Sequence, residues 1–334
     1  MPTLILSADD VHAALDMPSC IEAMRGALLG LHRGELSMPL RTLLRPPGGG
    51  RSASGGPPAG SGALLGLMPA HRGGERPLFS LKEIVFAPGN SERGLDTHQG
   101  AVLLHDGIDG RLLAMVNASA ITAIRTAAVS GLATTLLARR GARRVAILGS
   151  GVQGRSHAIA MRAVLPDAEL RVWSLSLPHA EALARDAHGT AARSIGEALD
   201  GADVVCTCTS AREPIVALSM LAKGAHVNAV GSSVKTAREL ESGVVAAASL
   251  FVDRRESTLN ESGDYLRAVE ERGIGPDHIR AEIGELLAQA HPGRKSDGEL
   301  TVFKSLGLAV EDLAAAELAV ARARERGIGT EVEF

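Results

Sequence analysis

The segment RRVAILGSGVQGRSHA, residues 143 to 158, constrains this chain more than any other. An aliphatic run, Val145 to Leu148, enters Gly149-Ser150-Gly151-Val152-Gln153-Gly154 and leaves into a stretch with helical spacing. Between a strand and a helix, GxGxxG suits a dinucleotide. The first glycine makes the tight turn, the second lets the backbone approach a pyrophosphate, the third lets helix and strand pack closely, and the phosphates sit on the helix N-terminus. A bare GxGxxG is often only a turn, so the residues around it matter. ELRVWS, DVVCTCT, AHVNAV and SLFVD are further short apolar strands separated by helical stretches, the alternation that winds a parallel sheet. The expected fold class is α/β, with a Rossmann-type doubly wound sheet over residues 121–306 and an α+β domain built from 1–120 with 307–334.

The front of the chain has a different rhythm. SADDVHAALDMPSCIEAMRGALLGLHRG predicts two short helices, the first capped by Ser7 and the second opened by Pro18. PPGGGRSASGGPPAGSG, residues 46 to 62, is a low-complexity loop whose Gly, Pro and Ser density opposes regular structure. LLGLMPAH, LFSLKEIVFAP and GAVLLHD are short alternating apolar runs that predict an antiparallel sheet. After Gly307 the run LAVEDLAAAELAVARARERG predicts a long helix that returns to the first domain.

Composition excludes several classes. A chain of 334 residues, 45% hydrophobic and with a net charge of -3, can bury a large core and has no basic stripe for nucleic acid. No apolar run reaches the roughly 20 residues of a bilayer span, and MPTLILSADDVHAAL lacks the features of a signal peptide, so a cytoplasmic protein is expected. Cys20, Cys206 and Cys208 are odd in number and are expected to be reduced packing residues. There is no HExxH, CxxC or GxSxG, hence no expected metal and no serine-hydrolase centre.

Two positions speak to ligands. The strand ELRVWS ends at Ser174, followed by Leu175 and Ser176, where an NAD site usually offers an acid to the ribose. Missing acid removes the repulsion against a 2′-phosphate, and Ser174, Ser176 and His179 can bond one; NADP is favoured, with no arginine in the usual place and NAD left open. The second position is Arg125, the single formal charge in LLAMVNASAITAIRTAAVSGLATTLLA, residues 112 to 138. A buried guanidinium must find an anion, because leaving it unpaired costs several kcal/mol. That anion is either a structural partner such as Asp106 or a ligand.

From about residue 20 to the C-terminus the chain resembles the ornithine cyclodeaminase/mu-crystallin family. The resemblance rests on MPLRT around Arg41, LMPA, LKEIVFAPGN, LDTHQGAVLLHD, AITAIRTAAVSG, ILGSGVQG, NAVGSS followed by REL, and TVFKSLGLAVED. It implies that Arg125 binds the α-carboxylate of a small amino or imino acid together with Arg41 and Lys82. Near two arginines, Lys82 is expected to lose its proton more readily and so to serve proton transfer. Taken alone, Lys82 would read as an exposed strand residue. Thr97 matches the family's substrate or cofactor contact, while His98 reads equally well as a sheet histidine. Thr207, Thr209, Val230, Gly231 and Ser305 complete the expected coenzyme set, with the nicotinamide near the last three.

One departure separates branches of the family. In the cyclodeaminases the turn after NAVG carries an aspartate for amine and water chemistry, whereas this sequence has NAVGSSVKTAREL with Ser233 at that place. The serine turn is similar to the mu-crystallin and imine-reductase branch. It implies simple hydride transfer to a cyclic ketimine or α-imino acid, or the reverse as an amino-acid dehydrogenase. A cyclodeaminase without the aspartate and a non-catalytic, crystallin-like NADP-binding protein are the alternatives. The resemblance also implies a homodimer through the N-terminal sheet.

Overall fold

The computed structural model describes residues 2–45 and 63–333, so the Gly/Pro-rich segment 46–62 lies outside the described residues. Two compact units divide the chain: Met1–Asp16, Arg33–Thr122 and Leu308–Phe334 form one, and Met17–His32 with Ala123–Gly307 form the other.

The first unit is built on an antiparallel meander. Its strands are β1 (Thr3–Leu6), β2 (Leu36–Ser37), β3 (Thr42–Leu44), β4 (Leu64–Arg72), β5 (Leu78–Phe86), β6 (His98–Asp106) and β7 (Leu112–Asn117). The C-terminal strand Thr330–Val332 adds to the edge of β1, giving the order C-terminal strand, β1, β7, β6, β5, β4, β2, with β3 also on β4. Alternation sends Met68, Ala70, Leu78, Ser80, Lys82, Val102 and Leu104 to the buried face. Helix Ala309–Arg326 packs there against β4, β5 and β6, and its buried Ala315, Ala316, Ala319 and Ala323 allow close approach. Ser7 caps helix Ala8–Ala14 as the sequence predicts: its Oγ accepts from Asp10 N at 3.2 Å and Asp10 accepts from Ser7 N at 2.9 Å.

The second unit is the doubly wound sheet. Its strands are β8 (Arg144–Leu148), β9 (Glu169–Trp173), β10 (Thr190–Ala191), β11 (Val204–Thr207), β12 (His226–Ala229), β13 (Ser249–Val252), β14 (Ile279–Glu282) and β15 (Thr301–Lys304). All pair in parallel, in the order β10-β9-β8-β11-β12-β15-β13-β14. The first five follow the dinucleotide-fold order, which reverses direction between β8 and β11. Every residue of β11, β12 and β15 is buried, as strands covered on both faces require. β14 and β15 were not among the strands expected from the sequence. β15 enters the sheet between β12 and β13 although it follows both in the chain.

Two expectations need correction. Helix Met17–His32, expected in the N-terminal domain, belongs to the second unit. It lies so close to helix Ile283–Leu287 that a Cβ on Gly284 would meet Leu28 O at 2.6 Å, and Ile21 stands 3.1 Å from the Cβ position of Gly131. Helix Ala118–Leu137, 20 residues long, is apolar enough by length and composition to cross a bilayer, contrary to the expectation of no such run. With 83% of that apolar window buried inside the protein, it is a core helix.

Two buried histidines in this unit are satisfied locally. His157 lies between Ser130 Oγ (2.9 Å) and Gln153 O (2.8 Å), and His226 between Thr301 Oγ1 (3.0 Å) and Asn228 Oδ1 (3.2 Å). Burial pushes His157 down to about 4 and His226 down to about 3, so both are neutral at pH 7. Cys20, Cys206 and Cys208 are buried free thiols, and burial raises Cys206 to about 12. A histidine that binds its proton more weakly when folded contributes stability that is complete above its unfolded pKa and is lost as pH falls below it. Between pH 7.5 and 5.0 the neutral His157 should therefore account for about 2 kcal/mol of lost unfolding free energy. Urea titrations of the protein and of a His157→Asn variant at both pH values measure this. The gap between the two proteins should narrow by that amount at pH 5.0, and a constant gap would show that His157 does not titrate as its burial requires.

Candidate functional site

The β8 turn has the geometry its glycines predict. Gly149 has φ of +114° and donates its N–H to Trp173 O at 2.8 Å, and a Cβ there would meet Cys208 O at 2.4 Å. A Cβ on Gly154 would meet Gly149 O at 2.0 Å, so the helix Val152–Val164 rests directly on the turn. Gly151 is different: it is the N-cap, no side chain caps the helix, and nothing lies within 4 Å of its Cβ position. The N-terminus of a 13-residue helix thus faces open space, with Val152 exposed and Gln153 half-buried in its first turn. These are the conditions for a pyrophosphate. Beside it Ser150 Oγ bonds Ser174 Oγ at 2.8 Å, and Ser176 is the N-cap of helix Leu177–Asp186 with no side-chain cap bond.

At the ends of β11 and β12 a carboxylate takes the central place. Glu239, fully buried, accepts four hydrogen bonds: Thr207 Oγ1 at 2.6 Å, Thr209 N at 2.7 Å, Thr209 Oγ1 at 2.7 Å and Gly231 N at 2.7 Å. Burial pushes the Glu239 carboxyl up, while the threonine hydroxyls pull it down. Thr207 and Thr209, expected in the coenzyme set, turn their hydroxyls into the protein at Glu239, and Thr207 is wholly buried. Behind Glu239, Asp264 Oδ1 accepts from Glu239 N (2.9 Å) and Leu240 N (3.0 Å), and its Oδ2 pairs with Lys304 Nζ at 2.9 Å. Lys304 Nζ also donates to Ser232 O at 2.5 Å. The turn that carries Val230, Gly231 and the half-buried Ser233 is held from beneath. The buried Ser305 Oγ has no hydrogen-bond partner among the described residues, which leaves it for a ligand. With the open helix end, that orphan hydroxyl fits a coenzyme lying along this edge of the sheet.

Arg125 is 4% exposed, and its guanidinium lies on Gly307, where a Cβ would meet Nη1 at 2.5 Å and Nη2 at 2.6 Å. Gly307, at φ of +80°, is fixed by Asp253, whose Oδ2 accepts from Leu306 N (2.6 Å) and Gly307 N (2.8 Å). Asp106, the structural partner considered from the sequence, instead caps its own turn through Ile108 N at 2.8 Å and faces Arg111.

In the first unit, Lys82 is 2% exposed on β5. Its Nζ lies 2.7 Å from Asp312 Oδ2 and 3.4 Å from Thr122 Oγ1. Asp312, 1% exposed, is thus a buried carboxylate partner of this lysine. His98 is pushed down by burial, then raised by Asp96 and lowered by Lys82, and it hydrogen-bonds Thr97 Oγ1 at 3.0 Å. Arg41 is half-buried just before β3. Asp312 and Glu239 are the residues that sequence reasoning missed. LAVED and REL were both read as family motifs, but an acid in an alanine-rich helix or a loop does not reveal its burial.

Comparison with known proteins follows the same lines. The model of the ornithine cyclodeaminase/mu-crystallin family matches residues 1–327. Ketimine reductase mu-crystallin from Mus musculus is 39% identical over 319 residues, covering 94% of this chain and 95% of that protein. The structure of Thermococcus litoralis Delta(1)-pyrroline-2-carboxylate reductase with NADH and L-proline matches with a TM-score of 0.90 at 33% identity, over 99% of this chain and 100% of that one. An archaeal alanine dehydrogenase dimer with bound NAD matches with a TM-score of 0.89 at 29% identity, over 100% of both chains.

The glycines predict separable defects. Gly151→Val should leave the thermal midpoint unchanged, since its Cβ meets nothing, and should abolish dinucleotide binding in a fluorescence titration. Gly154→Val should lower the midpoint itself, because its Cβ meets backbone at 2.0 Å. Normal titration by the Gly151 variant would rule out this turn as the pyrophosphate site.

Proposed function

Because the chain belongs to the ornithine cyclodeaminase/mu-crystallin family, we propose that it is an NAD(P)H-dependent oxidoreductase that reduces the C=N bond of a small cyclic imino acid. The observation that carries this reading is Ser233: the turn after β12 offers a half-buried hydroxyl where the cyclodeaminases are expected to have an aspartate. Similarity over nearly the whole chain to a ketimine reductase and to a pyrroline-2-carboxylate reductase supports it.

Each residue then has a task. Gly149 to Gly154 and the helix behind them hold the pyrophosphate. The bound coenzyme supplies a hydride. Arg125, fixed on Gly307, gives the substrate carboxylate two parallel charge-assisted hydrogen bonds. Lys82, paired with Asp312, is the proton source for the imine nitrogen. The imine carbon gains the hydride, the nitrogen keeps its proton, and C=N becomes CH–NH. Fixing the carboxylate end orients the carbon, which supplies much of the rate.

NADPH is the coenzyme favoured by Ser174-Leu175-Ser176, which presents hydroxyls and no acid at the end of β9. A cytoplasmic setting fits the three buried free thiols. Pyrroline-2-carboxylate and piperideine-2-carboxylate should each oxidise coenzyme mole for mole, with the larger kcat/KM for NADPH. Ornithine with catalytic NAD should release no ammonia; sustained ammonia and proline without net NADH would establish the cyclodeaminase instead.

The outer face of the first unit's sheet supports a homodimer. Ile5, Met115, Leu103, Leu81 and Pro69 stand in register across β1, β7, β6, β5 and β4, with Phe79 beside them half exposed. An unbroken apolar strip of this kind favours a partner surface, and an archaeal relative is a dimer. Phe79→Arg combined with Met115→Arg should convert a dimer to a monomer in light scattering coupled to gel filtration. A mass unchanged by the pair would place the interface elsewhere.

A further inference from the structure

The buried charges beneath the turn at residues 230–233 have no part in the scheme above. Three ionisable side chains, Glu239, Asp264 and Lys304, are each 2% exposed or less. Burying such groups costs more than it returns unless their geometry is well satisfied, and apolar residues of the same volume would serve stability as well or better. Their partners are specific. The Glu239 carboxylate holds Gly231 N, the Lys304 ammonium holds Ser232 O, and Asp264 ties Lys304 to the backbone of Glu239. Consecutive residues of the turn are thus gripped at an N–H and at a C=O, immediately before Ser233.

The place of this turn along the sheet gives the grip a purpose. The pyrophosphate turn stands at the end of β8 and Ser174 at the end of β9, on one side of the reversal in strand order. A dinucleotide crossing the carboxyl ends of the strands lays its adenosine toward β9 and its nicotinamide toward β11, β12 and β15. Gly231, Ser233 and Ser305 stand at the ends of β12 and β15.

We propose that Glu239, braced by Asp264 and Lys304, is a positioning residue that fixes the 230–233 turn for the nicotinamide half of the coenzyme, without touching the coenzyme itself. This rests on the coenzyme reading above and extends it to residues with no assigned role. Only a carboxylate meets the demand. Oε1 takes two donors from Thr209, and Oε2 takes Thr207 Oγ1 and Gly231 N, the latter also 3.0 Å from Thr207 O. In Glu239→Gln the amide nitrogen faces Thr209 N in one flip and Gly231 N in the other, so each flip sets donor against donor. A Cβ on Gly231 would stand 2.5 Å from Glu239 Oε1, so only glycine lets the turn lie this close to the carboxylate.

The test compares NADPH with 2′-phospho-ADP-ribose, which lacks the nicotinamide, by equilibrium titration. Glu239→Gln should weaken NADPH at least about tenfold and leave 2′-phospho-ADP-ribose within about twofold, with kcat falling more than the substrate KM rises. Thr207→Val, which removes one donor to Oε2 and keeps the volume, should shift the ratio of the two dissociation constants the same way by about threefold. Equal weakening of both ligands, or an unchanged ratio in either variant, would overturn the proposal. If Glu239→Gln does not fold, the Thr207→Val ratio decides alone. The wild-type ratio is measurable even if no imino acid is reduced, so failure of the proposed reaction and failure of this inference are distinguishable.

Discussion

The close contact of backbone with backbone around Gly149 is the constraint on which the second unit depends. No side chain fits between the end of β8 and Cys208 O, or between Gly154 and Gly149 O. Bringing these segments together sets the first turn of the helix Val152–Val164 at the sheet's edge and leaves only the Gly151 face open. A side chain at Gly149 or Gly154 would force the helix away and scatter the amides that an anion needs. The same approach places the end of β11 beside the turn, so the later strands deliver Val230, Gly231 and Ser305 to one edge.

Charge is the second theme. The protein hides Lys82 with Asp312, Lys304 with Asp264, and Glu239 among four donors, and it seats Arg125 on a loop fixed by Asp253. Burial of this kind is poor value for stability compared with well-packed apolar residues. It does give geometry, because a group with every lone pair or proton engaged cannot change rotamer without losing several bonds at once. Each charge lies close to a residue with a proposed task in binding or proton transfer.

Hydrophobic patterning carries the two units with little help from polar groups. The first unit's long strands alternate, sending one set of side chains under helix Ala309–Arg326 and leaving an apolar strip on the other face. The second unit's central strands are buried throughout, as strands covered on both faces require. Interior histidines and cysteines are neutral fillers held by nearby hydroxyls and amides. They carry pH dependence into stability and take no part in the site.

The sequence by itself determined the features whose signals are local. Three glycines at fixed spacing, the cap at Ser7, the alternation of β4 to β6 and the apolar runs of β8, β9, β11, β12 and β13 each follow from neighbouring residues, and each formed as expected. Family likeness added Arg41 and Lys82, which no spacing rule singles out, and a substrate carboxylate as the anion for Arg125. Tertiary structure decided what depends on residues far apart in the chain. β15 lies between β12 and β13 although 48 residues separate Val252 from Thr301. Helix Met17–His32 joins the second unit through Gly131 and Gly284. Thr207 and Thr209 turn to Glu239, some 30 residues on, and Lys82 to Asp312, 230 residues on. The reason is physical: a backbone conformation or a face of alternating side chains is set within a few residues, whereas the partner of a buried charge is chosen by whichever segment packing brings within 3 Å of it.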